Sequence, residues 1–288
     1  MTFAWSKDSK LDSLRKVSAL WVGQANPCCY DCLMGRTVVF ANQKGGVGKT
    51  TSTINIGAYM AAKGKRVLLV DLDPQGNLSS GLGVCERKLC TYDVLIGKSP
   101  AAEAIVATPQ ENMYVLPSDL RLSGAVVELA DVENRNCFLK RAITSEVSAF
   151  DYILIDCPPS LGILTLNGFV AAQAVIVPLQ CEFFALEGFM NMLSQTIKRV
   201  QASLNTKLLV GGVIFTMYDS RTRIAQEVIQ QMKTAFKNHP MVLFKTIIPR
   251  NIRLAEAPSH GMPINMYAPA CIGARSYAAL TEEVMRRV

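Results

Sequence analysis

The sequence predicts a single α/β domain on a mostly parallel, twisted sheet with helices on both faces. Three observations predict it. Short runs that are apolar at every position recur along the chain, which is how strands buried on both faces read. Stretches with helical spacing separate these runs. The 288 residues, 50% of them hydrophobic, are enough for one large core, and no repeat, low-complexity tract or long linker divides them.

The first expected strand, residues 37 to 41, leads into Asn42-Gln43-Lys44-Gly45-Gly46-Val47-Gly48-Lys49-Thr50-Thr51. This fits the phosphate-loop pattern G-x-x-x-x-G-K-[ST] if its first glycine is allowed to vary. Glycines let successive amides turn inward around phosphate oxygens, so Gly45, Gly46, Val47 and Gly48, with Thr51, are expected to line a nucleotide. Lys49 supplies a point charge at the outer phosphates, Thr50 offers a hydroxyl directly to a magnesium ion, and the helix starting there turns its positive end toward the anion. A nucleoside triphosphate is the implied ligand. That helix is expected from Ser52 to Ala62, with Ile54, Ala58 and Ala61 on one face and Gly64 as its stop.

The second strand, 67 to 71, ends at Asp71 with Asp73 just beyond. Ligands in open α/β sheets bind past the carboxyl ends of strands, so both carboxylates are expected to face the nucleotide. Strand 113 to 116 follows. Strand 152 to 156 ends in Asp156, expected in the outer layer around magnesium. Cys157-Pro158-Pro159 comes next, a stiff loop able to sense the γ-phosphate, with Cys157 a small buried residue. Strands at 174 to 178, 208 to 215 and 242 to 248 complete the expected sheet. The last segment, Ser276 to Val288, turns Tyr277, Leu280 and Val284 to the core and reads as a packed helix.

Together these residues resemble the ParA/Soj family of the ParA/MinD ATPases. Lys44, five positions before Lys49, marks the deviant Walker motif, and Val67 to Asn77, Tyr152 to Ser160 and Ile248 to Pro258 carry the rest, covering residues 36 to 288. The resemblance implies a P-loop NTPase fold and slow, magnesium-dependent hydrolysis of ATP. It implies a homodimer sandwiching two nucleotides, with Lys44 crossing to the partner's phosphates and Gly45 and Gly46 letting the loops approach. Asp73 would orient the attacking water, making Lys44, Lys49 and Asp73 the catalytic set. Asp71 and Asp156 would support the metal from its second layer, and Pro249 and Asn251 would border the base. A ParB-like centromere-binding protein would stimulate hydrolysis.

Charge is uneven along the chain. Residues 198 to 288 hold 13 Lys and Arg against 5 Asp and Glu, a net of +8, whereas residues 1 to 197 hold 17 against 18, a net of −1. Such a basic third suits nonspecific duplex DNA, met through its phosphates without reading bases. Lys198, Arg221, Arg223 and Arg253 are the expected contacts, Lys198 and Arg253 matching the family's basic positions. Lys198 and Arg199 are expected on a helix from about Leu186 to Leu204, and Arg250 borders the base segment.

The front end departs from the family, whose members start near Met34, so residues 1 to 33 are an addition. They read either as an overextended reading frame or as an arm whose Leu11, Leu14, Val17 and Trp21 form a weak apolar face. Cys28, Cys29 and Cys32 lack a fourth zinc ligand nearby. The arm is too short for a folded operator-reading domain. Nine irregularly spaced cysteines suggest a reducing compartment, giving a cytoplasmic, nucleoid-associated expectation with no membrane partner. Two other readings share the phosphate loop: a MinD-like membrane-cycling ATPase, which needs a basic amphipathic tail, and an iron–sulfur reductase of the nitrogenase iron-protein type, which the isolated Cys137 and Cys181 do not suit.

Overall fold

Every residue of Val67–Asp71 (β2) and Tyr152–Asp156 (β5) is buried, as strands covered on both faces must be. A computed structural model describes residues 35–85, 88–182, 189, 196–237 and 242–288. Among them, β2 and β5 are joined by β1 (Arg36–Phe40), β3 (Val106–Ala107), β4 (Met113–Leu116), β6 (Ala174–Gln180) and β7 (Leu209–Thr216) in one seven-stranded sheet, order β3-β4-β2-β5-β1-β6-β7. All pairs are parallel except β3 with β4. The expected α/β architecture, a mostly parallel sheet between helices, is therefore present.

Period-two alternation splits the core into two layers. Val39, Leu68, Val70, Ile153 and Ile155 belong to one, together with Phe169, Val200, Val228 and Met232 from helices Ile163–Ala171, Lys198–Ser203 and Arg223–Ala235. Val38, Phe40, Leu69 and Leu154 belong to the other, under Ile54, Ala58 and Ala61 of helix Lys49–Ala62 and Tyr277, Leu280 and Val284 of helix Ile272–Arg287. The first helix starts at Lys49, three residues before the expected start, because Gly48 at φ 84° turns the loop straight into it. Gly64, at φ 78°, lies just past its end.

The expected strand at 242 to 248 does not form. Leu243 makes an isolated bridge with Val213, and the amides of Phe244 and Ile248 reach the carbonyls of Val213 and Phe215. Between them, however, the Lys245 and Thr246 amides donate to the Glu283 carboxylate at 2.8 and 2.9 Å. A side chain from the last helix thus takes donors a ladder would need. Conversely, β3 was not expected, since two exposed residues carry no periodicity.

Residues 1 to 33, with the apolar face and the Cys28, Cys29 and Cys32 cluster expected there, lie outside the described residues, as does most of the expected helix from Leu186 before Lys198. Among the described residues, no helix is long and apolar enough to cross a membrane.

Candidate active site

β1, β2 and β5 deliver the site at their carboxyl ends, where register sets Phe40 beside Asp156 and Asp71 beside Asp156. The loop after β1 is pinned at both ends. Asn42 donates through Nδ2 to the Pro178 carbonyl of β6 (2.7 Å) and accepts the Lys44 amide (3.0 Å). Thr216 at the end of β7 donates to the Val47 carbonyl (2.8 Å). Helix Lys49–Ala62 starts at the loop's end, so its first amides have no intrahelical acceptor and are available to an anion.

A cleft of about 640 Å³ opens over this loop, lined by Gly45, Gly46, Gly48, Lys49, Thr50, Thr51 and Asp73, with Pro159, Pro258 and Ser259 opposite. A second cavity of about 450 Å³ shares Gly48, Thr51 and Met217 with it and is walled by Ile248, Pro249, Arg250, Asn251 and Tyr277. The two share a wall, one part polar at the loop and the other mainly apolar. That division suits a phosphate chain and a heterocycle. The expected residues from Lys44 to Thr51, with Asp73, Pro249 and Asn251, therefore come together. Val47 and Lys44 are the exceptions and line neither cavity: Val47 is buried at 1% exposure, and Lys44 is turned to Glu182.

Lys49 is buried, its ammonium 3.3 Å from the Lys44 carbonyl. Burial pulls it below the ordinary lysine value, with the Asp156 charge the main opposing influence. Thr50 donates its hydroxyl to Asp156 Oδ2 at 2.6 Å. Burial, then the Asp71 charge, pushes Asp156 well above the usual carboxylate range. Its Oδ1 is buried with no hydrogen-bond partner. An orphaned carboxylate oxygen beside a hydroxyl fits an outer position around a hydrated divalent ion. Among the described residues no group of three His, Cys, Asp or Glu side chains is placed to hold a metal. Cys157 is buried as expected, and burial pushes its thiol up.

Lys44 is half-exposed and pairs through Nζ with Glu182 Oε2 at 2.5 Å, while Gln180 holds the other Glu182 oxygen at 2.6 Å. Sequence reading had no signal for Glu182, which is 138 residues away. It also gave Asn42 and Thr216 no part in holding the loop.

Asp71 is fully buried and accepts bonds on both oxygens, from the Asp73 amide and from Ser79. Burial outweighs those bonds and raises its pKa to about 6. A folded-state value above the unfolded one means the folded chain holds this proton more tightly, so the contribution of Asp71 to stability falls as pH rises from about 4 to about 6 and is flat above. Asp71 alone accounts for about 3 kcal/mol of that fall. Denaturant unfolding of the nucleotide-free protein between pH 4 and 7 should show it, with a smaller fall in Asp71→Asn; an unchanged slope in that variant would contradict the assignment.

The expected DNA-contacting cations are all exposed, in two groups. Arg221 pairs with Asp219 at 2.7 Å and holds that carboxyl down at about 2. The Arg250 amide bonds the Tyr218 carbonyl, so Arg221 and Arg250 gather at the end of β7. Arg253 pairs with Glu256 at 2.9 Å on helix Ile252–Glu256, whose cap, Asn251, accepts the Arg253 amide. Lys198 and Arg223 begin helices on the opposite core layer. Among the described residues no hydrogen bond or ion pair joins Lys198 to the others.

A family described as AAA domain matches residues 35–210. The chromosome-partitioning ATPase Soj of Treponema pallidum is 56% identical over 254 residues, 88% of this chain and 98% of its own. The chromosome partitioning protein ParA of Caulobacter vibrioides is 46% identical, covering 88% and 94%. Among solved structures, a cobyrinic acid a,c-diamide synthase from Mycobacterium smegmatis with bound ATP analog and magnesium superposes at TM-score 0.78, with 38% identity over 88% of this chain and 94% of that one. The cell division ATPase MinD of Pyrococcus furiosus superposes at 0.72, with 28% identity over 88% and 100%. The partitioning proteins are thus the more similar in sequence.

Proposed function

This chain belongs to the Soj/ParA family of partitioning ATPases, and from that membership we propose that it works as an ATP-dependent DNA-partitioning switch, with residues 34 to 288 as its ATPase domain. The observation that carries the reading is one cleft in which a phosphate loop, a buried lysine, a hydroxyl–carboxylate pair and the Asp73 carboxylate converge. ATP lies with its phosphates on residues 44 to 51 and its base against Pro249 and Asn251. Thr50 would hold magnesium directly, with Asp156 and, behind it, Asp71 in the outer layer. When bound, that ion neutralises charge on the phosphates. Asp73 orients the attacking water, and Lys49 balances the negative charge.

Lys44 acts in the dimer, reaching the partner's phosphates. Leaving Glu182 costs little, since an exposed ion pair contributes only about 0–1 kcal/mol. The ion pairs of Arg221 with Asp219 and of Arg253 with Glu256 are likewise on the surface and exchange readily for DNA phosphates. Dimerisation doubles a weak cationic surface, and two linked weak sites bind a polyanion far more tightly than one. Nucleotide state thereby becomes DNA occupancy, with a ParB-like protein accelerating hydrolysis and release. The protein acts in the cytoplasm on the nucleoid. The MinD-like alternative loses ground because the partitioning proteins are the more similar in sequence, and helix Ile272–Arg287 turns Tyr277, Leu280 and Val284 to the core.

The test is DNA co-sedimentation with ATP, ADP or no nucleotide at two salt concentrations. Binding should require ATP, weaken with salt and vanish in Lys44→Ala. Arg253→Glu should lose DNA while keeping the ATP-dependent dimer. Nucleotide-independent binding, or loss of dimer and DNA together in Arg253→Glu, would overturn the reading.

A further inference from the structure

The loop carrying Asp73 hangs from a buried relay that begins at Asp71. On Asp71 Oδ1 sits the Asp73 amide at 3.1 Å, and on Oδ2 sit the Ser79 amide at 3.0 Å and the Ser79 hydroxyl at 2.7 Å. The Ser79 hydroxyl oxygen in turn accepts the Ser118 amide at 3.0 Å, just beyond β4. Asp71, Ser79 and Ser118 are all wholly buried.

With Asp71 ionised, only one arrangement of protons satisfies these contacts. The Ser118 amide can only donate, so the Ser79 oxygen accepts there and its single proton goes to the carboxylate. A bond from a hydroxyl to a buried carboxylate is among the stronger kinds, because no water competes for either partner. Ser79 thus ties the Asp71 carboxylate at the end of β2 to the segment after β4, beside a second tie through the Thr91 hydroxyl, which lies 2.9 Å from both the Asp71 and the Pro117 carbonyl oxygens. The Asp73 side chain accepts the Gln75 amide at 3.0 Å and lines the cleft, while its backbone is held by the Asp71 carboxylate and by the Gly76 amide, 2.9 Å from the Asp73 carbonyl.

We propose that Ser79 is a positioning residue for hydrolysis: its hydroxyl, donating to Asp71 and accepting from Ser118, sets where the Asp73 carboxylate stands in the cleft. This rests on the role proposed above for Asp73. Ser79 lines neither cavity, so it acts through Asp71 without touching nucleotide.

The experiment compares Ser79→Ala, Ser79→Thr and Asp73→Ala in the full chain, measuring single-turnover hydrolysis of prebound ATP and, separately, the ATP dissociation constant. Ser79→Ala keeps the amide bond to Asp71 and loses only the hydroxyl. Its rate should fall about tenfold while ATP affinity stays within about twofold, since a misplaced catalytic group slows the step without weakening binding. Ser79→Thr, which retains a hydroxyl, should recover the rate. A normal rate in Ser79→Ala, or a parallel loss of ATP affinity, overturns the proposal. If Asp73→Ala itself turned over normally, the role of Asp73 would fail and this inference with it. A slow Asp73→Ala beside a normal Ser79→Ala overturns the inference alone.

Discussion

Lys49→Ala is expected to weaken ATP binding by about two to three orders of magnitude, on the order of 3–4 kcal/mol. The reasoning starts from burial. Lys49 is only 6% exposed and is held below its ordinary pKa by desolvation, so an arriving phosphate meets a cation that water does not screen. Alanine removes that charge and leaves the phosphates to the loop amides, the Thr50 hydroxyl and the helix end. Titration calorimetry with ATP and magnesium reads the loss. A dissociation constant within about threefold of the unaltered protein would show that the loop amides and the helix end suffice, and that Lys49 is a structural lysine. Thermal unfolding without nucleotide provides the control, because the alanine should leave the helix intact.

Asp73→Ala should do the reverse, leaving ATP affinity nearly unchanged while slowing single-turnover hydrolysis by about two to three orders of magnitude. Asp73 faces the cleft, and the acceptor bond it makes, to the Gln75 amide, is local, so its removal disturbs little of the fold. Losing a group that holds water in line raises the barrier by about 3–4 kcal/mol. The ATP-bound dimer should then accumulate, visible by size-exclusion chromatography with ATP. Turnover at the normal rate would move the water-positioning role elsewhere.

Much of this is legible in the sequence. Strands buried on both faces announce themselves as unbroken apolar runs, which is why Val67–Asp71 and Tyr152–Asp156 were found at their true bounds. The phosphate loop was legible because close backbone approach to an anion demands glycine, lysine and threonine at fixed spacing. The run at 242 to 248 misled for a specific reason. Its residues Val242, Leu243, Phe244 and Ile248 are as buried as those of a strand. Apolarity reports burial, however, and cannot report which acceptor a backbone amide meets, and Glu283 took two of them.

The sequence by itself determined the fold class, the loop that cradles phosphates and the carboxylates at the strand ends, because local pattern and residue chemistry encode them. Only the tertiary structure decided what each group is bonded to: Lys44 to Glu182, Asp71 to Ser79, Thr50 to Asp156. It alone divided the basic residues between two layers. Those pairings join residues 8 to 138 positions apart, and hydrogen bonds at that separation follow from how strands and helices pack, which no local spacing records.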